Sequence, residues 1–271
     1  MEKIKTIIAK EWAEVFRNRL VLFTVAFLPL IFVAMPLATL IAMNSVAGSD
    51  ALGATAGVVD DNAEIMAFFG EQCRGLSEYD CTLVYTLNLF TLMFMILPVA
   101  IPVTIAAYSI VGEKTTHSLE PLLATPITTI ELLVGKALAA IVPAILATWM
   151  AFGLYLLSAR FMTTAEIFAR LADPMWLIAI FVVGPLLTLL AVSFAIMVSS
   201  RVTDPRVAEQ ISTVVILPLI LLLIGQSVGF ILLSRELVLI IAGVLVLVDG
   251  LLLFFTVRLF ERENILTRWR I

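Results

Sequence analysis

The segment Val111–Pro126, VGEKTTHSLEPLLATP, lies between two long apolar runs in a chain that is 62% hydrophobic, and it carries the only histidine, His117. Its residues spell a short helix. Ser118 can act as N-cap. Glu120 falls in the first turn, where a negative charge meets the positive helix end. Pro121 also sits in the first turn, where no intrahelical N–H is lost. Leu119, Leu122 and Leu123 supply an apolar face, and Pro126 ends the helix after about two turns. A second start follows at once, because Thr128-Thr129-Ile130-Glu131 fits a capping box with Glu131 at N3. That second helix runs on through Lys136, whose stem can snorkel, into the next apolar run. The chain therefore leaves one apolar run, folds a polar helix and re-enters. On residue chemistry alone, such a helix is either a docking knob for a partner or a turn that connects two spans.

The rest of the chain decides what those runs are. It has 271 residues, 14% of them charged, against roughly 25% in soluble domains. Its mean hydropathy is +1.10. Six runs reach the ~20 residues that cross a bilayer. They are Leu20 to Met43, Tyr85 to Val111, Leu133 to Ser158, Met175 to Ser199, Ile211 to Leu233 and Glu236 to Val257. The first is too long for the apolar core of a signal peptide and has no evident cleavage site. The fold class read from this is an all-α membrane protein of six transmembrane helices, one domain over residues 1–271.

Orientation follows from the cations. With the N-terminus inside, thirteen of the 17 Lys and Arg residues fall on the inner side and four, Arg74, Arg160, Arg170 and Arg235, on the outer. Both termini are then expected in the cytoplasm. Residues 1–19 place Ile4, Ile7, Ile8, Trp12, Val15 and Phe16 at helical spacing, which reads as an amphipathic helix lying in the membrane interface. Residues 44–84 form an acidic extracytoplasmic loop that holds both cysteines, Cys73 and Cys81. They are either a disulfide closing a short loop or two free thiols. Residues 112–129 are the first cytoplasmic loop and 200–210 the second. In the second, Asp204 is placed as N-cap with Pro205 at N1. Arg201 and Arg206 there can contact lipid phosphates or a partner's carboxylates, or simply anchor the loop inside.

Prolines 29, 36, 98 and 102 fall inside the first two spans, which are expected to bend. Within the membrane, Asp249 in span six is a costly carboxylate. It reads either as a contact for a cation or polar substrate, or as a protonated or paired group joining helices. Asn88 and Thr91 in span two and Gln226 in span five are placed to share a central path with it. Gly225 and Gly229 form a G-x-x-x-G step that permits close helix contact, either at a dimer seam or in local packing.

The stretch GEKTTHSLEPLLATPITTIELLVGK, Gly112 to Lys136, resembles the signature loop of ABC-2 type exporter permeases, G-E-[KR]-x-x-x-[ST]-L-E-x-L-L-x-[TS]-P followed by Gly-Lys. Matching positions are Gly112, Glu113, Lys114, Ser118, Leu119, Glu120, Leu122, Leu123, Thr125, Pro126, Gly135 and Lys136. His117, where glycine is commoner, and Pro121 depart from it. AKEWAEVFRNR resembles the family's interfacial connecting helix, with Lys10, Glu11, Arg17 and Arg19 in place. SSRVTDPRVAEQ resembles its second cytoplasmic loop. The resemblance spans most of the chain. It implies a permease subunit of an ATP-driven exporter, paired with a second permease copy or a paralogue in a bacterial or archaeal plasma membrane. Two cytoplasmic ATP-binding subunits would dock on the short coupling helix between spans two and three. The implied interface is Glu113, Lys114, Ser118, Leu119, Glu120, Leu122 and Leu123, with Arg201, Asp204 and Arg206. The chain has no G-x-x-x-x-G-K-[ST] phosphate cradle, so it is expected to bind no cofactor. ATP and Mg would belong to the partner. The lipid bilayer is the other expected partner, and no nucleic acid is.

Three other readings are weighed. A secondary transporter should show inverted repeats and midplane polar clusters, and none is evident. A membrane enzyme needs a constellation of acid, base or nucleophile, which one histidine and two cysteines do not supply. A non-transporting scaffold subunit is the third possibility.

Overall fold

The structure, a computed structural model, describes residues 2–17, 19–47, 76–115, 128–228, 230–231 and 233–259. The sixteen-residue helix α1, Glu2–Arg17, comes first. It is followed by α2, Arg19–Ala47, then α3, Glu78–Met93, and α4, Leu97–Thr115. Next come α5, Thr129–Met162, the short α6, Ala165–Leu171, and α7, Pro174–Ile178. The chain continues through α8, Gly184–Ser199, α9, Pro205–Ser212, α10, Leu217–Ser227, and α11, Arg235–Leu259. Every regular element among the described residues is a helix. Among the described residues, six helical stretches are long and apolar enough to cross a membrane: Val21–Ser45, Tyr79–Ser109, Ile130–Met162, Ala165–Ser199, Pro205–Ser227 and Arg235–Arg258. We call these spans one to six.

The spans begin where capping chemistry allows, which is often before the apolar run. Helix α3, which opens span two, starts seven residues ahead of the apolar pattern, inside the segment read from sequence as extracytoplasmic loop. Ser77 caps α3 by accepting from the Asp80 amide at 3.1 Å. Span three starts at the expected capping box: Thr128 Oγ1 accepts from the Glu131 amide, and a Glu131 carboxylate oxygen accepts from the Thr128 amide at 2.8 Å. Asp204 caps α9 through the Arg206 amide at 2.8 Å, with Pro205 in its first turn.

Prolines set the irregular turns. A proline ring clashes with the carbonyl four residues earlier and offers no N–H to it. Pro98 follows a 3-10 turn at Phe94–Ile96, Pro185 follows a π turn at Ala179–Val183, and Pro218 follows a 3-10 turn at Thr213–Ile216. In each case the residue four before the proline lies inside the irregular turn, so the local pitch changes there and the helix continues. Pro29 and Pro36 lie inside α2, Pro102 inside α4 and Pro143 inside α5.

Span two is the centre of the molecule. In its most apolar window 72% is buried, against 17% in spans one and six and 11% in span five. At its 3-10 turn, Phe94 is fully buried and meets the rings of Phe152 and Tyr155 of α5 with centroids 6.0 and 5.2 Å away. Spans one, five and six carry most of the exposed large apolar side chains, among them Phe23, Leu221 and Leu247. Gly225 answers the expectation for the glycine pair. A Cβ there would lie 2.8 Å from Ile231 Cδ1 of the same chain. The close approach that glycine permits is therefore taken up inside the protomer. Gly229 lies outside the described residues.

Candidate functional site

Span two leaves the bundle through α4, and span three returns through α5. Between them, residues 116–127 lie outside the described residues, and with them the expected coupling positions Ser118, Leu119, Glu120, Leu122 and Leu123. Glu113 and Lys114 lie in the last turn of α4, but their side chains are likewise outside the described residues. What the structure does describe is how the two helix ends flanking that loop are held.

α1 runs alongside the start of α5 in the same direction. Lys3 pairs with Glu131 at 3.8 Å, Ile7 sits against Gly135, Glu11 pairs with Lys136, and the Trp12 indole donates to the Ala139 carbonyl at 3.0 Å. Positions 3, 7 and 11 on one helix and 131, 135 and 139 on the other are each four apart, so both contribute one continuous face. Gly135 makes the seam close: a Cβ there would lie 2.7 Å from Ile7 Cγ2.

At the middle of the seam lies a closed polar ring. Lys136 Nζ donates to Glu11 Oε1 at 2.7 Å, to Ser109 Oγ at 2.9 Å and to the Ser109 carbonyl at 3.5 Å. Ser109 Oγ donates to Glu11 Oε2 at 2.5 Å. Glu11 is 1% exposed and Lys136 5%. Burying each ion costs several kcal/mol, offset only when geometry is good and the remaining donors and acceptors are satisfied. Here all three ammonium donors and both carboxylate oxygens are used. The ring joins three elements: α1 through Glu11, the end of span two through Ser109, and the start of span three through Lys136. Lys136 thus turns inward to a buried partner, and its stem does not snorkel outward as the sequence suggested.

A second clamp reaches span two from α9. Thr104 Oγ1 donates to Glu209 Oε1 at 2.6 Å, and the buried Ala208 packs with Ala107 and Val111. Helix geometry puts Thr104, Ala107 and Val111 on roughly the opposite side of α4 from Ser109. The second-loop residues Arg201, Asp204 and Arg206 are exposed around the start of α9.

Each of the positions read as lining a path has its own surroundings. Asn88 Oδ1 accepts from the Trp176 indole at 3.0 Å in a buried contact. Thr91 donates to the Leu87 carbonyl at 3.0 Å and lies 3.5 Å from the Tyr155 hydroxyl. Both tie span two to its neighbours. Gln226 is buried with its side-chain oxygen unpartnered, and Asp249 is buried with neither carboxylate oxygen hydrogen-bonded. Asp249 shares a stripe of α11 with Val238 and Leu245, along α8. Cys81 is buried and disulfide-bonded. Cys73 lies outside the described residues. Among the described residues, no group of three or more His, Cys, Asp or Glu could hold a metal.

Sequence reading placed Glu11 and Lys136 by resemblance, gave Lys136 only a snorkelling stem and Glu11 no role, and missed Ser109, Thr104, Glu209 and Trp176. A signal was present: Glu11 lies on the apolar stripe of Ile4, Ile7, Ile8 and Val15, and Lys136 lies in LLVGKALAA.

Six apolar spans among the described residues, one of them central and clamped at its end from two sides, make up a multi-pass, all-helical membrane domain. The ABC-2 family transporter protein family matches residues 5–259, and the chain belongs to that family. It is a membrane permease subunit of an ABC transporter; members of the family are generally non-enzymatic membrane subunits, and the family implies association with an ABC ATP-binding subunit. A search of curated proteins returns no match to the chain.

Proposed function

We propose that this chain forms the translocation path of an ATP-driven exporter and receives its power stroke through the loop between spans two and three. The observation that carries this reading is the ring of Glu11, Ser109 and Lys136. It binds the two helix ends that flank the loop to one another and to α1. A push on the loop therefore reaches spans two and three together. The coupling interface is Glu113, Lys114, Ser118, Leu119, Glu120, Leu122 and Leu123, with Arg201, Asp204 and Arg206 beside it. Two ATP-binding subunits dock there and hold ATP and Mg, while this chain holds neither. Two permease copies, or this chain and a paralogue, complete the complex. The Lys and Arg distribution puts both termini in the cytoplasm of a bacterial or archaeal cell. Cys73 pairs with Cys81 on the outer side. Asn88, Thr91, Gln226 and Asp249 contribute the polar groups nearest the path.

The test is a pull-down of the tagged chain from native membranes with identification of what is retained. A stoichiometric ATP-binding protein, lost when Leu122 and Leu123 are changed to Asp, supports the reading. Glu120→Lys should then leave the membrane fold intact and uncouple hydrolysis from transport. A chain retained alone, or only with other membrane proteins, overturns it in favour of a secondary transporter or a scaffold subunit.

A further inference from the structure

We propose that Glu11, Ser109 and Lys136 are positioning residues that form a rigid joint, so that α1, the end of span two and the start of span three move as one body when the loop between them is driven. This rests on the loop being the docking point, and deepens that reading by naming the residues that transmit the motion.

Three observations converge. First, the ring is closed and buried. Each side chain bonds to both others, so sliding α1 along α5, or parting α4 from α5, breaks at least two bonds at once. It also leaves an ion with no water to replace its partner. Such a network has one geometry, unlike an exposed pair such as Lys10 and Glu14 at 3.5 Å, which water can replace. Second, the packing beside the ring leaves no slack. Ile7 fills the space above Gly135, with Ile7 Cβ only 3.0 Å from where a Gly135 Cβ would stand, and the Trp12 indole fixes the next turn through the Ala139 carbonyl. Third, the joint sits at the span ends that flank the loop: Ser109 is six residues before the end of α4, and Lys136 is seven residues after the start of α5. Movement entering at the loop meets the ring before it meets the apolar body of either span.

A buried ion pair is poor evidence for stability as such. Apolar residues of similar volume often hold a fold as well or better. What the ring adds to packing is a directional lock on the register of three helices, a role that buried polar groups serve in some folds. The joint is therefore separable from a merely structural role.

The experiment uses the purified complex with its ATP-binding subunit, in lipid. In the first arm, Ile7→Cys with Gly135→Cys places two thiols across the seam; loss of Ile7 Cγ2 and Cδ1 removes the contacts at 2.7 and 3.3 Å, and the two Cβ positions, 3.0 Å apart, part by about 0.5 Å to reach disulfide geometry. If α1 and α5 never part during turnover, the oxidised and reduced forms hydrolyse ATP within about twofold of each other, with the unsubstituted complex given the same reductant as control. A tenfold or larger loss on oxidation, regained on reduction, overturns the joint. In the second arm, Glu11→Leu, Ser109→Ala and Lys136→Met are combined. The expected result is a complex that assembles and hydrolyses ATP but loses the nucleotide-dependent distance change between spin labels at Phe161 and Arg235, at the far ends of spans three and six. An unchanged distance response in that variant overturns the proposal. If the variant does not assemble, the cross-link decides alone. Loss of the ATP-binding subunit from the unsubstituted complex is a separate failure, that of the docking reading.

Discussion

At its far end, span two is held by neutral hydrogen bonds. Tyr85 donates to the Ser227 carbonyl at 3.1 Å, the Trp176 indole donates to Asn88 at 3.0 Å, and Tyr79 reaches Asn44 at 3.5 Å. At the α1 end it is held by charge. Glu11 and Lys136 close on Ser109, and Glu209 accepts from Thr104. Neutral bonds can be remade one at a time, each with a net worth of about 1 kcal/mol. A buried ion that loses its partner has no such recourse. The α1 end should therefore hold its geometry until it breaks, while the far end adjusts in small steps.

The largest effect that would sharpen this contrast is Lys136→Met alone. The Glu11 carboxylate stays buried with only Ser109 to meet it, which costs about 3–5 kcal/mol. The midpoint of thermal unfolding of the solubilised chain, followed by fluorescence-detected size exclusion, should fall far more than for any neutral substitution at the far end. Adding Glu11→Leu should recover most of the loss, because the stranded charge is gone. A Lys136→Met variant no less stable than the far-end variants below would break the comparison.

Gly135→Leu comes next. The new side chain must displace Ile7, whose Cγ2 lies 2.7 Å from the position of a Cβ. Overpacking of this kind costs about 1–3 kcal/mol. Shortening the opposing residue in the same background, Gly135→Leu with Ile7→Ala, should relieve most of it on the same unfolding measurement, because the volume added on α5 is removed from α1. If the pair is no better than Gly135→Leu, the seam is looser than the contact distance implies.

These two positions also mark what could be read from the chain and what could not. The six spans, the capping box at Thr128 and the Asp204 cap were legible, because apolar run length and capping chemistry are local. Span starts were less so, since Ser77 begins α3 among polar residues that a hydropathy pattern assigns to a loop. The joint was legible only as two misplaced charges. Glu11 interrupts an apolar stripe and Lys136 an apolar run, but nothing local says they meet across 125 residues. Ser109 gave no signal, because a serine near a span end has many local uses. Asn88 and Thr91 were legible as polar residues in a span, but their partners Trp176 and Tyr155 come from distant parts of the chain and gave no local signal.

At the far end, Trp176→Phe keeps an aromatic ring in the buried site and removes only the indole donor. The Asn88 oxygen loses that partner, at about 1–3 kcal/mol for a buried acceptor left unsatisfied. Adding Asn88→Leu should return part of this, since removing both partners avoids the stranded acceptor. A loss in Trp176→Phe as large as in Lys136→Met would make the two ends of span two equivalent.

The smallest effect belongs to Tyr85→Phe. Its hydroxyl donates to the carbonyls of Ser227 at 3.1 Å and Gln226 at 3.4 Å, at the last turn of α10. Carbonyls at a helix C-terminus lack intrahelical donors. Ser227 is exposed, so water can take the place of the phenol there. The net loss should be at most about 1 kcal/mol, a shift in the unfolding midpoint near the limit of measurement. What should change is local: amide hydrogen exchange over the residues after Ser227 should quicken while exchange in α4 and α5 stays as it was. If protection around Lys136 also falls, strain at the far end of span two is reaching the α1 end, and the two clamps act as a single unit.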